Sequence, residues 1–117
     1  AEAGNALYVV KVNPRGKGDL GVFRIRFKEP DTGAYKEREW PLAHRREVVA
    51  FADSSSAMRL AVHAASFAEW LSESPYGSGF EFEEAEADLR VLRNEFPVEA
   101  PVERLSNMIG QARSISR

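Results

Sequence analysis

The chain has 117 residues, a length that fits one domain able to bury a hydrophobic core. Apolar residues make up 44% and charged residues 29%, which excludes a wholly disordered chain, and a net charge of −2 gives no general affinity for polyanions. The absence of cysteine excludes disulfide frameworks, thiolate metal sites and cysteine nucleophiles. The charge is unevenly spread: residues 1–52 carry ten Lys/Arg against seven Asp/Glu, and residues 53–117 carry six against eleven. The halves are therefore +3 and −5, which fits two solvated faces of opposite sign. AEAGNALYVV opens without methionine or a signal-peptide pattern, and is read as the start of a fragment cut from a longer chain. No run approaches the roughly 20 apolar residues of a membrane span, so direct membrane insertion is not expected.

The first half, about residues 6–52, predicts three to four antiparallel strands. Ala6–Val12 (ALYVVKV) is rich in β-branched and aromatic residues. NPRGKGD then marks a turn. Leu20–Lys28 (LGVFRIRFK) alternates, with Phe23, Ile25 and Phe27 on one face and Arg24, Arg26 and Lys28 on the other. EPDTG is a second turn, and Ala34–Leu42 (AYKEREWPL) a polar third strand suited to a sheet edge. Glu47–Ala52 (EVVAFA) is a candidate fourth.

The second half, about residues 54–115, predicts three helices. From Ser54 to Ser72, apolar side chains recur at Met58, Ala61, Ala64, Ala65, Ala68 and Leu71, with Leu60, Phe67 and Trp70 beside them. SPYGSG follows the end of that helix. Glu81–Phe96 carries Phe82, Ala85, Leu89, Leu92 and Phe96 on one face, acids in its first turns and arginines later, as the helix dipole favours. Pro97 ends it, and Pro101 opens a helix with Val102, Leu105, Met108, Ile109 and Ala112 inward. Strands followed by helices define an α+β fold.

Few motifs carry chemistry. DSSSA resembles the Asp-x-Ser-x-Ser loop that holds a cation in von Willebrand factor type A domains. Its oxygens would come from Asp53 and Ser55, but the third position is Ala57, so a helix cap by Asp53 or a serine is the stronger reading. GKG at Gly16–Gly18 lacks the spacing of a phosphate loop and reads as a turn. His44 and His63 have no partner at metal-ligand spacing; His44 reads as solvated and His63 as packed on its helix. No G-x-S-x-G elbow supports a serine hydrolase. The row Arg24, Arg26 and Lys28 is too thin for nucleic acid, and Glu37 and Glu39 are placed to pair with it. Tyr76, between Pro75 and Gly77, is expected to pack back onto the domain, with an exposed contact residue as the alternative.

Three segments in order carry a resemblance: RIRFKEPDTG (Arg24–Gly33), MRLAVHAASFAEWLSESPY (Met58–Tyr76), and EEAEADLRVLRNEF followed by VERLSNMIGQARSI. Together, over roughly Val22 to Ile115, they resemble the C-terminal domain of unknown function attached to bacterial von Willebrand factor type A proteins. Ala43–Ala52 departs from that pattern. The resemblance implies a non-catalytic accessory domain without a cofactor or metal of its own. It implies the upstream type A domain of the same chain as partner, another protein as a further possibility, and a parent in the bacterial envelope or periplasm. Two other expectations stand beside it: a divalent-metal module around Asp53 and Ser55, and a small hydrolase using a serine and His63. Arg24, Arg26, Lys28 and Tyr76 are the candidate interaction residues.

Overall fold

The computed structural model describes residues 5–44, 49–96 and 100–116. The chain divides into two compact units, Val9–Val48 and the remainder dominated by Val49–Arg117.

The first unit is built on a β-hairpin. β1 (Gly21–Lys28) pairs antiparallel with β2 (Tyr35–Leu42), so that Phe23 faces Trp40, Arg24 faces Glu39 and Arg26 faces Glu37. Residues directly opposite share a face. One face therefore carries Phe23, Ile25, Phe27, Trp40 and Leu42, with Arg38 opposite Ile25 and Lys36 opposite Phe27, and the other carries Arg24, Arg26, Lys28, Glu37 and Glu39. The turn between the strands is closed by Gly33 N donating to Glu29 O at 2.9 Å, with Gly33 in the left-handed region at φ 68°. Glu29 accepts from Lys36 and from Thr32, which holds its carboxyl below the ordinary carboxylate value.

The second unit is helical. α1 spans Ser56–Leu71, α2 Phe82–Leu92 and α3 Ala100–Ile115. Phe67, Ala85, Leu89, Leu92, Val102 and Ile109 are buried where the helices meet, and Leu60, Trp70, Phe80, Phe82, Phe96, Leu105 and Ala112 close around them. An aromatic group fills the α1–α2 side: the rings of Trp70 and Phe82 meet edge to face at 4.9 Å, and those of Phe80 and Phe82 at 5.1 Å. α2 ends earlier than the periodicity predicts. Asn94 N donates to Val91 O and Glu95 N to Leu92 O, a three-residue spacing that tightens and stops the last turn. Pro97 lies outside the described residues.

The α+β class holds, but two expected strands do not. Among the described residues the sheet has two strands, where the sequence predicts three to four. Ala6–Val12 is irregular, with Val9 and Val10 exposed. Its strand propensity reflects packing on a pleated surface, and among the described residues no strand pairs with it to supply one. Within Glu47–Ala52, Glu47 and Val48 lie outside the described residues. Val49 and Ala50 are irregular, and a 3₁₀ turn occupies Phe51–Asp53. Phe51 instead sets its ring against the edge of His63 at 5.4 Å.

The inward face of α1 also differs. Met58, Ala64, Ala68 and Leu71 are exposed, whereas His63 and Phe67 are buried and Leu60 and Trp70 half-buried. The helix thus turns its bulky row inward (Leu60, His63, Phe67, Trp70), because large side chains remove more apolar area from water than alanines do.

Candidate functional site

DSSSA is a helix start. Ser55 is the N-cap of α1, and its Oγ accepts from Met58 N at 3.3 Å. Ser54 Oγ donates to Ala50 O, and Ser56 Oγ donates to Glu95 on the far side of α2. Asp53 closes the preceding 3₁₀ turn. The serines are engaged in capping and in tying the helix ends. Among the described residues, no group of three or more His, Asp or Glu is placed to hold a metal ion.

A polar cluster that sequence reading missed joins α1 to α2. Asp88 receives Arg59 Nε at 3.1 Å on Oδ2, and the same arginine reaches Oδ1 through Nη2. His63 Nε2 lies 2.8 Å from Asp88 Oδ2. The signal was available in outline: Arg59 and His63 are four residues apart and share one helix face. Their acceptor, a distant acid on α2, was not. A nearby carboxylate alone would favour imidazolium, but both oxygens of Asp88 are already answered by Arg59. Burial therefore prevails, Arg59's positive charge adds to it, and Glu84 opposes it only in part, so the His63 pKa falls below its ordinary value. His63 is thus neutral near pH 7 and donates Nε2–H to Asp88.

The same histidine lines a cleft of about 160 Å³ with Phe51, Ser66, Glu81 and Glu84. A nucleophile needs its base within hydrogen-bond reach. Among the described residues no hydrogen bond joins Ser66 to His63, whose Nε2 is committed to Asp88. The cluster's evident work is to clamp two helices.

The predicted contact residues fall in both units. On the hairpin, Arg24 reaches Glu37 Oε1 at 3.3 Å and Glu39 Oε1 at 2.5 Å, as the cross-strand reading expects. Arg26 lies over the Tyr35 ring at 5.0 Å. Lys28 is exposed opposite Tyr35. The row is thus largely answered within the hairpin. In the helical unit Tyr76 is 87% exposed, so the expected packing of its ring does not occur. The loop packs through its backbone and Gly77 instead. His44 is exposed, as read. Among the described residues no helix is long and apolar enough to cross a membrane.

A cross-strand ionic hairpin followed by three helices makes this chain an α+β module. It belongs to the family of the C-terminal domain of the uncharacterized protein YfbK, whose family model matches residues 6–100. That match bears out the resemblance and covers its segments Arg24–Gly33, Met58–Tyr76 and EEAEADLRVLRNEF, while VERLSNMIGQARSI lies beyond the matched residues. No curated protein and no solved structure matches the chain.

Proposed function

We propose that this is a non-catalytic accessory domain. It packs on, or supports, an upstream von Willebrand factor type A domain of the same chain and works through protein–protein contact. The parent in this reading is an envelope-associated bacterial protein, and the cation belongs to the upstream domain, with no cofactor in this one. Family membership supports the C-terminal position. The observation that carries the interaction is the hairpin's apolar face: Trp40 is 43% exposed and Leu42 45%, with Ile25 beside them at 40%. A two-stranded sheet is marginal in water on its own and gains stability when its apolar face is covered.

The test is titration calorimetry of the upstream part of the parent chain into this domain, with and without magnesium. Association is expected, and Ile25→Lys, which replaces an apolar contact by a second cation opposite Arg38, should weaken it. Magnesium-sensitive binding would tie the domain to the upstream cation site, and magnesium-blind binding would make it scaffold. No association would end the proposal.

A further inference from the structure

The loop after α1, residues 74–79, is seated with almost no freedom. A side-chain carbon added at Gly77 would lie 2.7 Å from Glu69 O and from the Trp70 backbone, closer than real contacts allow, so glycine is required there. Ser74 N donates to Glu69 O at 3.0 Å, and Gly77 N donates to Ser74 O at 2.9 Å. Glu73, which leads into the loop, is held in the left-handed region at φ 54°. A left-handed residue at this position, directly after the C-cap of α1, turns the chain sharply out of the helix.

This rigid seat presents apolar surface. Tyr76 is 87% exposed and Leu71 52%, although both are large. An open groove of about 450 Å³ lies alongside, lined by Trp70, Leu71, Glu73, Ser74, Gly77 and Ser78. Glu73 is the charged residue of its lining. Acids of α2 are answered elsewhere, Glu83 and Glu86 by Arg113 and Asp88 by Arg59. Glu73 in the groove and its neighbour Glu69 have no ion pair among the described residues.

We infer that this groove docks an extended segment of a partner protein carrying an arginine or lysine beside an aliphatic or aromatic residue. The apolar side chain covers Trp70 and Leu71, the cation meets Glu73, and Tyr76 closes over the segment as an aromatic anchor. Because the loop is already ordered, little further conformational freedom is lost on docking. The inference rests on the reading of the domain as an interaction module. It uses a different surface from the hairpin, so the partner need not be the upstream domain.

The experiment is to pan a random dodecapeptide phage library against the intact chain, then to measure the selected peptides against Tyr76→Ala and Glu73→Gln. Peptides with a basic residue next to an apolar one should be enriched, and each variant should weaken their binding by about tenfold or more. Tyr76 is solvent-exposed, so an unchanged melting temperature confirms that its variant is folded. No enrichment, enrichment of acidic or uncharged peptides, or binding that ignores both variants would overturn the inference. Failure of the upstream-domain titration together with success here would assign the chain a separate partner. The reverse would leave the hairpin as its contact surface.

Discussion

The hairpin and the helical unit use charge in opposite ways. On the hairpin, Arg24 meets Glu37 and Glu39 with roughly half of each side chain in water: 58% exposed for the arginine and 50% for each acid. In the helical unit, Arg59 and His63 meet Asp88 with 12%, 11% and 17% exposed. The first network sits where water screens it and is worth little. The second has lost most of its hydration, so removal of one member leaves the others stranded. Apolar side chains divide the same way. Among the described residues the helical unit has six fully enclosed hydrophobic residues, and the two strands have none. Stability should therefore reside in the helices, and the hairpin should contribute little to it.

The strongest way to break this comparison is to empty the helical core. Leu92 is 0% exposed and lies among Phe67, Leu89 and Ile109. Leu92→Ala should cost about 2–5 kcal/mol, read as a lower denaturant midpoint of the helical circular-dichroism signal. Amide exchange in β1 and β2 should change far less. Equal loosening of both would show that the two units unfold as one.

The helical half was the more legible, and the reason is physical. Helical hydrogen bonds are local, so a periodic apolar face suffices to predict a helix from about Ser54 to Ser72 with Asp53 or a serine as its cap, close to the observed Ser56–Leu71 capped by Ser55. Strand hydrogen bonds need a partner strand that propensity cannot supply, and Ala6–Val12 has the composition of a strand but is in no strand pairing among the described residues. The hairpin was readable because its turn brings its own partner, and the alternation of Phe23, Ile25 and Phe27 with Arg24, Arg26 and Lys28 gives the two faces of β1. Which stripe of α1 turns inward was not, because alanines and bulky residues both recur at helical spacing. The Asp88 clamp was not readable either. It joins residues 25 and 29 positions apart, and only tertiary packing brings them together.

A smaller effect sharpens the contrast through pH. The His63 pKa is lowered by burial, then by Arg59, so the folded state binds a proton less readily than the unfolded chain, whose imidazole titrates near about 6.5. The stabilisation from neutral His63 is complete above that unfolded value. It is lost as the pH falls through it toward the lower folded value, because the unfolded state takes up the proton first. The melting temperature of the helical unit should therefore fall between about pH 7 and pH 5. His63→Gln, which keeps a polar side chain beside Asp88, should flatten that slope. A slope unchanged by the variant would place the titrating group elsewhere.

The smallest effect belongs to the hairpin's own charges, and its size decides what covers them. Arg24→Ala removes both ion pairs, to Glu37 and to Glu39, from a face open to water. Exposed pairs of this kind are worth about 0.2–1 kcal/mol and weaken with salt, since their Coulomb attraction acts through water and is offset by the freedom two long side chains lose. Denaturant midpoints at low and high salt should show a loss within that range that nearly vanishes at high salt. A loss above about 2 kcal/mol that ignores salt would mean the pair is shielded from water. The ionic face of the hairpin would then be buried as the Asp88 cluster is, and its open apolar face would be the side left for a partner.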